Sequence, residues 1–371
     1  MKNFIILFVL LSSTCIGQEV TTAPVSTSKP VGFQLIVDQD AFVKEFNKDR
    51  DYTMGLQLTW TGQKQKHNFV SKLFGLKKTD YYSKNWAASF AFSGFTPYAL
   101  ENDLVDKSDR PYAALTYLSK AGLYNFKRKT IFKNLLGTSK FKGSQFFKSA
   151  TQVGFMGKGT SRAAKFIQTA VHSGQRSVAE NPNDARPDPL GWEYAIASKN
   201  DIALVVNYGA EYGYGIEYRI GTNGKFLAPL QAMIKPLAGF AAGNLYNYGS
   251  GGVQFQFGFF STSIFNGTDF SAIFDAHETK GLFEVSLTGE YNTQFWLHNA
   301  TLNGILLNNK NDVYHLTYNQ IEPITSYYSY GLELSYKRKF SLGYSKVIRS
   351  NVMKDVLREQ VFGRLSIRIG I

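Results

Sequence analysis

The chain has 371 residues, of which 44% are hydrophobic and 15% aromatic, with a mean hydropathy of -0.20. That is too polar for a bundle of membrane helices and too aromatic for a disordered chain. The formal charge of +13 sits mostly in connections between strand-like stretches, which argues against a nucleic-acid surface.

The first 17 residues read as a secretory signal peptide: Lys2, an apolar run from Phe4 to Leu11, then small residues before Gln18. Cys15 is the only cysteine and lies in this segment, and "SSTC" is a poor lipoprotein box. A mature chain without cysteine has no disulfide, no thiolate metal site and no cysteine nucleophile. Residues 18–31 form a lead containing Thr, Ser and Pro, and one domain is expected over 32–371. No later run of about 18 apolar residues occurs, so no spanning helix is expected. The options left are a large soluble β-protein and an outer-membrane barrel.

Strands are expected near 32–38, 53–62, 86–97, 111–126 and 147–156, followed by 201–221. In DIALVVNYGAEYGYGIEYRIG every even position from Ile202 to Ile220 is apolar or aromatic, while the odd ones include Asn207, Glu211, Glu217 and Arg219. Only a strand has this period of two. The alternation recurs over 283–290, 328–336, 340–345 and 365–371. Glu and Arg on the polar face indicate a wet lumen, and aliphatics mixed with Tyr and Phe on the other indicate a lipid band between aromatic girdles. A transmembrane antiparallel β-barrel is therefore expected; its last residue, Ile371, departs from the usual aromatic terminus. Glu211, Glu217 and Arg219 are expected to form a polar network inside the barrel.

If both termini face the periplasm, the connections 38–52, 97–110 and 157–200 lie outside the cell. Segments 62–85 and 127–148, on the inner rim, carry six Lys with one acid and seven basic residues with none, suited to anionic headgroups. The acidic 97–110 connection could hold a hard cation such as calcium or be a solvated loop. Residues 161–172 of the longest connection have helical composition, with Gln168 and His172 four apart on one face. His67, His277, His298 and His315 show no polar companion at catalytic spacing. Arg50 and Arg110 are expected to pair with neighbouring carboxylates, and Tyr52 and Tyr112 to be packing or girdle aromatics.

"DQDAFV", "DRDYTMG", "FTP" with "SDRPYAA", "QTAVH", "GW" and "ATLNG" follow one another along the chain. In that order they resemble the outer-membrane lipid A 3-O-deacylases, from the first strand to the C-terminus. The resemblance implies a barrel of about 12 strands with a short helix in an outer loop. It also implies removal of an ester-linked acyl or acyloxyacyl chain from lipid A, with calcium assistance. On it, Asp40, Thr53, Gln168 and His172 fall on active-site positions. His172 would be the base for an attacking water, since histidine ordinarily titrates near neutrality. Asp40 would be a cation ligand or would orient the histidine, with Gln39 beside it as a second metal ligand. Gln168 and Thr53 would lend polar support. No Gly-x-Ser-x-Gly nucleophile elbow is present, which favours water over an acyl-enzyme. The chain departs from the family pattern in having Gln39 where Asn is usual, and "GWEYAIAS" offers Glu193 and Ala195 where a Gln is usual. The expected setting is the outer leaflet of a Gram-negative outer membrane, with lipopolysaccharide as substrate, membrane lipids around a monomer, and no nucleic acid. The alternatives are a phospholipase of the same fold, a pore-type or structural barrel, and a soluble secreted β-protein.

Overall fold

The structure is a computed structural model that describes residues 32–43, 52–63, 81–98, 100, 105–126, 129–130, 140–178, 188–220, 226–265, 273–276, 282–306, 312–337, 339–354, 356 and 358–370. The expected signal peptide and lead, Arg50, His67 and His277 lie outside the described residues.

The first six long strands are β1 (Gly32–Gln39), β2 (Met54–Gln63), β3 (Tyr81–Phe95), β4 (Ala113–Phe126), β5 (Phe141–Met156) and β6 (Ala203–Arg219). The remaining six are β7 (Leu230–Gly243), β8 (Tyr246–Phe259), β9 (Phe283–Asn299), β10 (Ile324–Tyr336), β11 (Phe340–Arg349) and β12 (Gln360–Gly370). Each pairs antiparallel with its sequence neighbours. β12 returns to β1 in register from Gly32↔Gly370 to Gln39↔Gly363, which closes the sheet into a twelve-stranded barrel. Closure gives every strand two partners and leaves no exposed edge, as a spanning sheet requires.

Alternation decides the faces. In β6 the even positions Leu204 and Val206 are 60% and 43% exposed, whereas Asn207 and Glu217 are buried. Apolar residues outside and polar residues inside is the reverse of a soluble protein, and it is the pattern of a membrane barrel. The lumen is filled by charge pairs and hydrogen bonds. Lys148 of β5 lies opposite Glu211 of β6 in register, with Nζ 3.7 Å from Oε2. Tyr327 donates to Glu290, Ser261 to Glu284, and Arg368 to Glu333.

Expected boundaries move, most clearly in β3 and β5, and β3 begins at Tyr81 rather than 86. β5 begins at Phe141 rather than 147, so Lys142 and Lys148 of the basic segment belong to a strand and face Glu217 and Glu211 across it. Cross-strand charge pairing offsets the weak strand preference of lysine. β3 stops at Phe95, because Pro97 has no N–H to offer a ladder.

The end of the barrel opposite Gly32 and Gly370 carries the connections 40–53, 96–112, 157–202, 300–323 and 350–359. The three connections placed together by strand parity thus share one rim. The 157–202 connection holds α1 (Lys158–Val178), longer than the 161–172 expected. The 300–323 connection opens with the short α2 (Ala300–Asn303). No helix among the described residues is long and apolar enough to cross a membrane.

Candidate active site

Asp40 and Thr53 meet at the rim through strand register. Gln39 and Met54 are the last Cα partners of β1 and β2, so the next residue on each side, Asp40 and Thr53, leaves the strand ends side by side. Asp40 opens a 3-10 turn, Asp40–Phe42, and is buried. Gln39 sits beside it, its Nε2 at 3.4 Å from Asp40 Oδ1. The turn is pinned to the far side of β1: Tyr344 of β11 donates its hydroxyl to the Phe42 carbonyl at 3.0 Å. Thr53 is held on the other side, its N–H donating to Gly94 O at 3.1 Å and its hydroxyl lying 2.5 Å from that of Thr96.

Gln168 and His172 come from α1. Gly157, with φ 138, turns the chain out of β5. Its carbonyl then accepts from the Ser161 N–H, the Ser161 hydroxyl and the Thr160 hydroxyl, which anchors the first turn. Thr160, Ala164, Gln168 and His172 follow at intervals of four and are all buried, His172 completely. A buried stripe at that spacing is one helix face laid against the barrel. Phe166, on another face, is 74% exposed.

Trp192 joins the two halves. Gly191, with φ 93, leads into the 3-10 turn Trp192–Tyr194. The indole is buried with Met54, Phe92, Tyr112, Ala114, Ala164 and Ala195, and its Nε1 donates to Gln168 Oε1 at 3.0 Å. A Cβ at Gly94 would lie 3.2 Å from Met54 Cγ, a tight contact, and 3.7 Å from the indole edge. Met54 and Ala114 share the alternation of the outward residues Leu56 and Leu118, yet both are buried. α1 and the Trp192 turn therefore cover the outer wall of β2–β4 near the rim, and Gln168 and His172 lie against that wall rather than in the lumen.

Neighbouring connections brace this arrangement. Asp109 accepts from the Tyr98 N–H at 2.6 Å, from the Arg110 N–H at 2.7 Å and from Arg358 Nη2 at 2.8 Å. Arg358 takes the Asp109 carboxylate, and the Arg110 guanidinium stacks 4.7 Å over Phe95. Tyr314 donates to the Lys107 and Asp109 carbonyls, each at 2.7 Å. Burial, with the charges of Asp109 and Asp106 beside it, pushes this phenol up to about 12, so it stays a donor. Asp312 accepts the Ala197 N–H at 2.8 Å, and burial raises its carboxyl. Tyr52 and Tyr112 are packing rather than girdle residues, both buried, and the Tyr52 hydroxyl is pushed well up by burial and then by Asp38. Glu193 makes only an exposed pair with Lys165 at 3.8 Å, and Ala195 is packed against Trp192.

The five residues named from the sequence therefore fall in two groups on one rim sector: Gln39, Asp40 and Thr53 at the strand ends, Gln168 and His172 on the covering helix. Sequence reading assigned no role to Trp192, Thr96 or Arg358. "GW" beside a Gln-x-x-x-His helix was the available signal for the first; the other two become visible only through strand register. No group of three His, Cys, Asp or Glu side chains placed to hold a metal occurs among the described residues. The donors at the Asp40 turn are a carboxylate and an amide, an oxygen set that fits a hard cation completed by carbonyls and water rather than a transition metal.

A family model described as "Outer membrane protein LpxR" matches residues 4–371. No curated protein matches the chain. Among solved structures the chain is similar to LpxR from Salmonella typhimurium, with 16% identity, 91% of this chain and 99% of that one covered, and a TM-score of 0.57. It also matches the translocator domain of the autotransporter NalP from Neisseria meningitidis at 9% identity and a TM-score of 0.37, covering 100% of this chain and 94% of that one.

Proposed function

The chain belongs to the LpxR family of outer membrane proteins, and from that premise we propose that it is an outer-membrane lipid A 3-O-deacylase. The observation that carries the reading is the pair Gln168 and His172, two polar side chains one helical turn apart, both buried against the barrel's outer wall beside the Asp40–Thr53 strand ends. A site on that wall is open to a substrate whose acyl chains lie in the leaflet, without passage through the lumen.

In the proposed reaction His172 takes a proton from a water whose oxygen attacks the ester carbonyl carbon. The protonated imidazole then gives that proton to the departing sugar oxygen, leaving a free fatty acid and a hydroxyl on the saccharide. Gln168, its oxygen engaged by Trp192, offers its amide N–H groups to the polarised carbonyl. Thr53 ties the end of β2, next to that of β1, to β3 through Gly94 and Thr96. Asp40 and Gln39 would hold a calcium ion, which when bound supplies positive charge for the developing oxyanion. The rim carrying the site would face the cell exterior, and one barrel suffices as a monomer.

The test is mass spectrometry of lipid A from Gram-negative cells expressing the chain with calcium present, beside His172→Ala. Loss of one acyl or acyloxyacyl unit with the unaltered chain alone supports the reading. Unchanged lipid A with the barrel folded in the outer membrane refutes it. Lysophospholipid in its place would move the same chemistry to another substrate.

A further inference from the structure

α1 (Lys158–Val178) carries three stripes rather than two. Thr160, Ala164, Gln168 and His172 face the barrel wall and are buried. Lys158, Arg162, Lys165, Thr169 and Ser173 form a polar stripe beside them. Ala163, Phe166, Ile167, Ala170 and Val171 form the third, and every one of them is exposed. They stand at i, i+3, i+4, i+7 and i+8, which at about 3.6 residues per turn makes one continuous apolar face. A helix on a soluble domain turns such a face to the core. Here Gln168 and His172 are inside, and Phe166, Ile167 and Val171 are outside.

Two observations say what covers that face. The first is continuity with the lipid-facing wall. α1 starts three residues after Phe155, the last outward residue of β5, which is exposed. Leu118 of β4 and Val153 of β5, paired in register just below it, are exposed as well. Ile202, which precedes β6 at the same rim, is 73% exposed. The outward apolar surface therefore reaches the strand ends from which α1 departs, and the exposed stripe of α1 extends it.

The second observation is segregation. α1 contains no Asp or Glu, and Lys158, Arg162 and Lys165 all stand on the polar stripe. Segregation, not net charge, is the signature, since Lys165 already pairs with Glu193 at 3.8 Å. Glu193 belongs to the Trp192–Tyr194 turn, which is tied to the rim by the bonds of Ile196 to Tyr112 and of Ala197 to Asp312. The polar stripe thus borders the rim turn, and the apolar stripe looks away from both that turn and the wall. Apolar side chains on one side with Lys and Arg on another is the pattern of a helix lying in a membrane interface. A contiguous exposed apolar patch marks a contact surface.

We propose that α1 is an interfacial membrane helix whose partner is the lipid leaflet bordering this rim. The Ala163–Val171 stripe seats among the acyl chains, and the side bearing Lys158, Arg162 and Lys165 lies at the level of the headgroups. This seating is a property of the helix surface and does not depend on the reaction proposed above.

The test is quenching by lipid in reconstituted vesicles. Cys15, the only cysteine, is replaced by Ser in the full chain. Phe166→Cys, Val171→Cys and Arg162→Cys are then introduced singly and labelled with an environment-sensitive fluorophore. Each barrel is folded into phosphatidylcholine–phosphatidylglycerol vesicles with and without lipid spin-labelled on its acyl chain, and heat-modifiable gel mobility checks folding. The labels at 166 and 171 are expected to emit further to the blue than the label at 162. They are also expected to be quenched about two-fold or more strongly by the acyl-chain spin label. Quenching at 166 and 171 no stronger than at 162 overturns the proposal. Disulfide linkage between copies through unlabelled Phe166→Cys in the vesicles overturns it too, because the face would then be a contact between two chains.

Discussion

Trp192 donates its indole N–H to Gln168 Oε1 at 3.0 Å, and both side chains are buried between α1 and the outer wall of the barrel. An indole is a donor only, so this bond holds the glutamine oxygen towards Trp192 and fixes which way the amide N–H groups point. Trp192→Phe keeps the packing on Tyr112, whose ring centroid is 4.9 Å away, and removes the donor. The expected loss is about 1–2 kcal/mol of amide orientation, or roughly 5- to 30-fold in deacylation rate. Product accumulation followed by mass spectrometry checks it, and an unchanged barrel melting temperature separates orientation from folding.

Thr53 and Thr96 share a hydrogen bond between hydroxyls at the β2 and β3 ends. Thr53→Val keeps the shape and removes one hydrogen-bond partner from the buried Thr96 hydroxyl, at a cost of about 1 kcal/mol. Thr53→Ser keeps the bond and is expected to stay within about 1 kcal/mol of the unaltered chain. Urea unfolding in micelles, followed by tryptophan fluorescence, compares the two.

Asp38 and Arg364 form a two-point ion pair across β1 and β12, the pairing that closes the barrel. Asp38→Leu leaves a partly exposed guanidinium without its carboxylate and is expected to cost about 1–3 kcal/mol. Adding Arg364→Met to it should restore most of that stability, because an apolar pair replaces the charges. The double-variant cycle fails as an account of closure if the two losses simply add.

Asp312 carries the pH dependence. Its carboxyl is raised above 3.8 by burial, opposed by the Ala197 N–H it accepts and by the nearby His315. A folded state that raises an acid's pKa holds the proton more tightly than the unfolded chain does. The contribution is therefore greatest below 3.8 and is lost as pH rises through the raised folded value. Asp312→Asn keeps an acceptor for Ala197 without the charge. Its melting temperature, relative to the unaltered chain, is expected to rise over that window and then level off. Asp312→Ala loses the acceptor as well and is expected to lie about 1 kcal/mol below Asp312→Asn at every pH.

Much of the architecture was legible before any coordinates. Period-two alternation in 201–221 identified β6 and its lipid face residue by residue, because side chains on a strand must point alternately and a membrane rewards apolar residues outside. Counting strands placed 38–52, 97–110 and 157–200 on one rim, since antiparallel neighbours return connections to the same end. The spacing of Gln168 and His172 put both on one face of a helix, although Lys158–Val178 is longer than its composition suggested. The basic run 127–148 misled, because Lys142 and Lys148 look like loop residues until Glu217 and Glu211 are seen opposite them.

What only the tertiary structure decided is which side of the barrel wall each group occupies and which distant residue answers it. Local alternation says that Met54 and Ala114 point outwards; it does not say that α1 and Trp192 fold back to bury them. Charge at Asp109 and Asp38 is plain in the sequence, but their partners Arg358 and Arg364 lie 249 and 326 positions away. Such pairs depend on register and closure, which are properties of the whole ring. Periodicity is a short-range constraint on one strand and can be read along the chain. The outer-wall site and the Asp38–Arg364 and Asp109–Arg358 pairs are made of long-range contacts, which exist only once twelve strands have closed.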